Sequence, residues 1–169
     1  TTDTDTGIYR RGSGDIGFVS NSTEIVNIDG NGLTVTSKDA TINSVIVGKG
    51  VNSVAGNTVL GESALDAAVS GGNNTAIGKQ SLSALTSGTN NTALGSGSLA
   101  SVTAGNDNTA LGKSVLNANT GSNNTGVGYQ ALIANTSASE NTAVGFNSLT
   151  ANTTGANNTA VGNQSSLSN

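Results

Sequence analysis

The sequence predicts an all-β, fibrous homotrimer in which a small amino-terminal β module is followed by a β-solenoid or β-roll shaft with short turns. Three observations favour this fold class. Asn, Thr, Ser and Gly supply 93 of the 169 residues, whereas 34% of residues are hydrophobic and 2% aromatic. A five-residue motif recurs at a nearly constant interval, and each recurring unit carries few large aliphatic side chains. Units of this kind gain order by stacking on copies of themselves.

Residues 57–169 are predicted to form seven repeats of about 17 residues. Each repeat begins with Asn-Thr, a small residue (Val in the first copy), an aliphatic residue and Gly, as in residues 74–78, and successive copies start 16 or 17 residues apart. Alternation predicts a short strand with Thr and the aliphatic residue on one face and Asn and the small residue on the other. The glycine permits a tight bend or a close backbone approach. The repeat glycines are Gly61, Gly78, Gly95, Gly112, Gly128, Gly145 and Gly162.

A leucine follows the repeat glycine by four residues in six copies and by five in the last copy, at Leu167. The segment around it is compatible with a second strand or with one helical turn, and the sequence leaves both open. The strand aliphatics and these leucines are predicted to form the structural core of the repeats. The predicted core residues are Leu60, Ile77, Leu82, Leu94, Leu99, Leu111, Leu116, Val127, Leu132, Val144, Leu149 and Val161.

Two large aliphatics per repeat are too few for a self-sufficient chain. Burying each one contributes roughly 1.5–3 kcal/mol, whereas fixing the backbone costs roughly 1–2 kcal/mol per residue. We therefore expect backbone hydrogen bonds between stacked units and a core shared by several chains, with three-fold symmetry preferred over a monomeric solenoid. If each repeat is one coil, the shaft is roughly 34 Å long. An interwoven, extended path gives up to roughly 56 Å for each repeat.

The amino-terminal third differs in composition from the repeats. Residues 1–37 are predicted to form an antiparallel β module, because segments of alternating character are separated by turn residues. Residues 38–56 form a junction, in which residues 45–50 look like a degenerate first coil of the solenoid. The first residues carry neither an initiator Met nor a signal-peptide pattern, so the sequence is expected to be an internal or processed piece.

The composition argues against most catalytic and metal-binding functions. Without Cys or His the chain has no zinc site, disulfide, thiol nucleophile or Ser-His-Asp triad. No catalytic, cofactor-binding or metal-binding residue is therefore predicted, and we do not expect an enzyme. The net charge of −4 argues against nucleic-acid binding, and no apolar run is long enough for membrane insertion.

Three specific alternatives compete with a structural role. Glu62 and Asp66 are four residues apart and are the best candidate acid pair, but isolated surface acids are the simpler interpretation. Calcium-binding nonapeptide repeats require Asp where residues 71–74 have Asn, although an ion held by Asn or Thr on a trimer axis stays open. A ladder of Thr at the second motif position suits an ice-binding face; otherwise stacked Thr and Asn satisfy each other between coils. The ladder comprises Thr58, Thr75, Thr92, Thr109, Thr125, Thr142 and Thr159.

The amino-terminal segments 5–10, 15–18, 24–28 and 30–33 resemble the strand module of bacteriophage tail-fibre proteins. The order Val-Gly-Lys-Gly at residues 47–50, followed by Asn-Thr-x-x-Gly-x-x-x-Leu repeats, is similar to the shafts of such fibres. The repeat also resembles the β-roll heads of trimeric autotransporter adhesins, which use a somewhat shorter unit. Many such fibres continue into a self-cleaving carboxy-terminal chaperone domain, and none is visible in this sequence.

This resemblance implies a homotrimeric shaft in a tail fibre or virion fibre that supports or forms a host-receptor-binding surface. Its partners would be other virion or tail proteins and a glycan or protein receptor on the host. A bacterial trimeric adhesin at the cell surface is the main alternative, and an ice-binding solenoid is a lesser one.

Overall fold

The computed structural model describes the backbone of residues 6–10, 16–20, 23–29, 32–35, 40–42 and 44–166, and the side chains from residue 44 onward. All regular structure in these residues is β, and they include no helix. The chain divides into two compact units, Thr1–Ala40 and Thr41–Asn169. Leu167, the displaced leucine of the last repeat, lies outside the described residues.

The first unit contains four strands: β1 (Thr6–Arg10), β2 (Ile16–Ser20), β3 (Thr23–Asp29) and β4 (Gly32–Val35). They pair antiparallel in chain order. The register between β2 and β3 shifts by one residue after Phe18. A folded module with the predicted boundaries of 1–37 stays a prediction.

The second unit is built on one nine-stranded sheet whose strands follow one another in chain order. Its last seven strands run parallel, with each motif Thr opposite the Thr of the next repeat. Each repeat is therefore one coil of a β-solenoid, which confirms the predicted solenoid and excludes an interwoven path. The strands are β5 (Ala40–Ile42), β6 (Val45–Gly48), β7 (Thr58–Gly61), β8 (Thr75–Ile77), β9 (Thr92–Leu94), β10 (Thr109–Leu111), β11 (Thr125–Val127), β12 (Thr142–Val144) and β13 (Thr159–Val161).

The solenoid begins with a reversed strand. Strand β6 pairs antiparallel with β7, so that Ile46 lies opposite Gly61 and Gly48 opposite Val59. The prediction that residues 45–50 form a degenerate first coil is therefore wrong. The physical reason is the length of the connection: a parallel crossover needs a dozen or more residues, and the stretch between Gly48 and Thr58 is too short for one.

The segment that carries the motif leucine is neither a strand nor a helix. It is a run of turns in which Gln80 and Leu82 have positive φ angles of 57° and 51°. The N–H groups of these two residues point in opposite directions along the solenoid, whereas the N–H of Ser81 between them donates to the Gly78 carbonyl of the same turn. The N–H of Gln80 donates to the Glu62 carbonyl of the preceding coil at 2.9 Å, and that of Leu82 donates to the Ser98 carbonyl of the following coil at 3.1 Å. The turns are thus hydrogen-bonded to both neighbouring coils.

Candidate interaction face and the ladders behind it

The strand of each coil alternates between the interior and the outer surface, as predicted. In β9 the small residue Ala93 is fully buried, while Thr92 and Leu94 on either side are exposed. In every strand from β7 to β13 the middle residue of the Thr-x-aliphatic triplet is buried, and its two neighbours are exposed or half-buried. The aliphatic residue of the motif therefore points away from the interior of its own chain.

The predicted core residues separate into two sets. The turn leucines are buried in the chain's own core: Leu82, Leu99, Leu116, Leu132 and Leu149. The strand aliphatics lie outside that core. Leu60, Leu94, Leu111 and Val161 are exposed, and Ile77, Val127 and Val144 are half-buried. A place for the second set in a core shared between chains stays a prediction.

A ladder of asparagines, and not the strand aliphatics, occupies the interior of the solenoid. The Oδ1 of Asn74 accepts the backbone N–H of Asn91 at 2.9 Å and its Nδ2 at 3.1 Å. The Nδ2 of Asn91 also donates to the Gly105 carbonyl at 2.8 Å. Both asparagines are fully buried, and a buried amide requires partners of this kind. The ladder comprises Asn57, Asn74, Asn91, Asn108, Asn124, Asn141 and Asn158.

Beside β11 the interior has no room for a side chain on the strand. A Cβ added at Gly126, the interior residue of β11, would lie 2.4 Å from Cγ1 of Val115. Because successive strand residues point to opposite faces, an interior Asn and small residue force Thr and the aliphatic residue outward. This geometry is the physical reason that the strand aliphatics lie outside the chain's own core.

A third interior position is not recognisable from the sequence alone. Leu85 and Val102 occupy it in two coils, and Asn119, Asn135 and Asn152 occupy it in the following three. The amide Nδ2 of Asn135 donates to Oδ1 of Asn119 at 2.7 Å, which starts a second ladder. The position changes from apolar to polar along the chain, so no constant residue type marked it.

The repeat glycines allow the coils to approach closely, as predicted. Gly95 has a φ of 143°, and a Cβ there would lie 2.3 Å from the carbonyl oxygen of Gly112 in the next coil. A side chain is therefore excluded both by backbone conformation and by contact with the neighbouring coil.

The outward side chains of β7–β13 form a continuous surface, which we call the outer face. It consists of a file of Thr and a file of aliphatic residues, and it carries no charged side chain. Within the described chain, the hydroxyls of these Thr have no hydrogen-bond partner. Thr86 and Thr136, on another wall, instead donate to carbonyls of the next coil at 3.0 and 2.9 Å. The outer face thus offers unused hydroxyls beside exposed methyl groups.

A second file, which we call the rim, lies two residues after the aliphatic file. It comprises Glu62, Lys79, Ser96, Lys113, Tyr129, Phe146 and Asn163. Glu62 and Lys79 form an exposed ion pair at 3.1 Å. The rings of Tyr129 and Phe146 stack with centroids 5.5 Å apart and planes 14° from parallel. The rim is the part of this surface whose chemistry changes from coil to coil.

Residues 44–166 contain no group of three or more His, Cys, Asp or Glu side chains placed to hold a metal ion. Glu62, one of the two acids in the candidate catalytic pair, accepts a hydrogen bond from Nζ of Lys79. No helix in the described parts of the chain is long and apolar enough to cross a membrane.

Comparison with known proteins leaves the family open. No family model matches the chain, and no curated protein or solved structure shows significant similarity to it.

Proposed function

We propose that this chain is a structural and adhesive segment of a phage tail fibre or virion fibre, working as a rigid homotrimeric shaft. The observation that carries the proposal is the outer face, which extends over all seven strands from β7 to β13. A solenoid of stacked coils resists bending because backbone hydrogen bonds join every coil to the next.

The outer face fits another copy of the same chain. Exposed aliphatics such as Leu94 and Leu111, at 41% and 43%, recur at the spacing of the coils, and only a partner with the same spacing covers all of them. The absence of charge from this face means that no ion is desolvated when it is covered. Three copies around one axis bring all three outer faces together and close the assembly.

In this role the chain performs no chemistry. The trimer holds a receptor-binding surface away from the particle or presents it along the shaft, in contact with other virion proteins and with a glycan or protein on the host. A bacterial surface adhesin with the same trimeric shaft is the main alternative. The amino-terminal β module completes the fibre segment in either case.

The assembly is tested by measuring the mass of the purified chain in solution by light scattering. We expect three times the chain mass of 16.4 kDa. Leu94→Asp combined with Leu111→Asp is expected to give monomers, because carboxylates would be buried at the contact. The matched control is Thr103→Asp, which places a carboxylate on an exposed wall away from the outer face. Monomeric native protein, or dissociation by the control alone, contradicts the proposal.

The biological role is tested by electron microscopy with antibodies raised against residues 57–166. Labelled fibres on virus particles that encode this sequence are the expected result. Labelling restricted to bacterial cell surfaces would support the adhesin alternative instead.

One observation favours ice binding as a second candidate: the motif threonines are in register on one outward face and their hydroxyls are unused. An ice-binding face must remain uncovered, so this function and the trimer contact compete for the same surface. Thermal hysteresis in a monomeric solution would support ice binding, and its absence would remove this candidate.

A further inference from the structure

We propose that Tyr129 and Phe146 set the axial register between neighbouring chains, so that coil faces equivalent coil in the assembly. This inference rests on the proposed contact between outer faces. Its partner is a second copy of this chain. The two rings are positioning groups at that contact.

The outer face alone specifies register weakly. Thr lies opposite Thr and an aliphatic residue opposite an aliphatic residue in every coil-to-coil pairing from β7 to β13. If one chain slides by one coil past its neighbour, the same residue types still meet, and only the contact of one terminal coil is lost. Repetitive faces are prone to slippage of this kind. A staggered pair also cannot close into a three-fold ring.

The rim specifies the axial register that the outer face leaves open. It begins two residues after the aliphatic file, so the two files lie within about 7 Å of each other along the backbone. From Lys79 to Asn163 its residues differ between adjacent coils in charge, size or aromaticity, except that Tyr129 and Phe146 are both aromatic. A slide by one coil therefore changes every rim contact except the one in which Tyr129 meets Phe146, even though it preserves the contacts of the outer face.

Tyr129 and Phe146 are the strongest marker in the rim. They are the aromatic residues of the described side chains, they stack on adjacent coils, and they remain 40% and 48% exposed. In register, the pair of one chain is level with the pair of its neighbour, and the exposed ring surface is covered. After a slide of one coil, Tyr129 of one chain is level with Phe146 of the other, but the remaining two rings are level with Lys113 and Asn163. Aromatic side chains contribute disproportionately to contacts between chains, which makes this mismatch costly.

The test uses disulfide formation between chains, because the protein has no cysteine. Chains carrying Leu94→Cys and chains carrying Leu111→Cys are produced separately, unfolded, mixed, refolded and oxidised. These positions lie on the aliphatic file in adjacent coils. In-register chains give disulfides between identical positions, whereas a slide of one coil gives disulfides between positions 94 and 111.

Three backgrounds are compared. In the otherwise native protein we expect disulfides mainly between identical positions, with mixed ones as a minority. In the Tyr129→Ser, Phe146→Ser background we expect mixed disulfides at a yield comparable with the identical ones. The control background, Glu62→Ser with Lys79→Ser, removes an equally exposed rim pair and should behave as the native protein. Tyr129→Leu with Phe146→Leu, which keeps apolar bulk, separates loss of register from loss of association.

Mixed disulfides as abundant as identical ones in the native background, or no increase of mixed disulfides in the Ser background while the chains still associate, overturn the register proposal. The proposal is also overturned if the double Ser variant is monomeric and the double Leu variant keeps its register, because the rings then contribute only apolar area. If no background forms disulfides and light scattering shows monomers, the contact between outer faces fails, and the proposed function fails with it.

Discussion

The side-chain oxygen of Asn91 accepts two hydrogen bonds from Asn108 in the next coil, one from the backbone N–H and one from Nδ2, each at 3.0 Å. A single amide oxygen thereby fixes both the backbone and the side chain of its neighbour. Because Asn91 is itself held in the same way by Asn74, the ladder transmits its geometry along the interior of the solenoid.

Asn91→Ala is expected to lower the free energy of unfolding by about 2–4 kcal/mol. The substitution leaves two buried donors of Asn108 without an acceptor, and each unsatisfied buried group costs about 1–3 kcal/mol. Urea unfolding followed by circular dichroism measures the loss. The control is Asn90→Gly at the adjacent exposed residue, where glycine tolerates the φ of 60° and the change should stay below about 1 kcal/mol. Equal losses in both variants would refute the role of the ladder.

Leu99→Ala is expected to cost about 2–5 kcal/mol of folding free energy, since the side chain is fully buried in the solenoid core. Leu94→Ala, five residues earlier on the outer face, should leave the stability of the single chain within about 1 kcal/mol of native. Any loss in this control should grow as the protein is diluted, because it reflects association. A loss for Leu94→Ala that matches Leu99→Ala at every concentration would mean that the alternation is misassigned.

Gly95→Ala is expected to destabilise the fold by about 3 kcal/mol or more, because the new Cβ would meet the Gly112 carbonyl at 2.3 Å in a strained backbone conformation. Gly97→Ala provides the contrast. Its φ is 68°, but the nearest atom to an added Cβ is 3.4 Å away, so only the left-handed conformation is penalised, by about 1 kcal/mol. Thermal unfolding should separate the two variants clearly, and a reversed order would contradict the close approach of the coils.

Asn135→Val is expected to be more destabilising than Asn135→Val combined with Asn152→Val. The single change leaves Nδ2 of Asn152 without the Asn135 acceptor that it now contacts at 3.0 Å. The double change removes donor and acceptor together, and replacing both partners by apolar groups is nearly neutral. Val102 already occupies the equivalent position in an earlier coil. Urea denaturation of both variants tests this order, and additive losses would show that the two amides act independently.

The sequence predicted the repeat, the strand, the glycine bend and the buried turn leucines, because each depends on residue types that recur in one register. It did not predict that Leu94 faces outward, since hydrophobicity alone favours an inward aliphatic. The deciding factor is Asn91 in the same coil. Its interior hydrogen bonds to Asn74 and Asn108 connect three coils and cannot be recognised in a single repeat.

The geometry of the turn also could not be predicted from the sequence. A leucine with positive φ, as at Leu82, contradicts local preference. The conformation is imposed by hydrogen bonds to both neighbouring coils. Tertiary contacts thus outweigh local propensity at the residue that contributes most to the core, and this is where a prediction from single-residue preferences fails.

The reversed strand at the start of the solenoid has a consequence for growth. A parallel strand edge that carries free N–H and carbonyl groups recruits the edges of other molecules and promotes uncontrolled polymerisation. Strand β6 terminates the Thr-on-Thr ladder at β7 with antiparallel pairing, so another molecule's repeats cannot extend the ladder from that side. The coils are therefore counted from a fixed origin at β7.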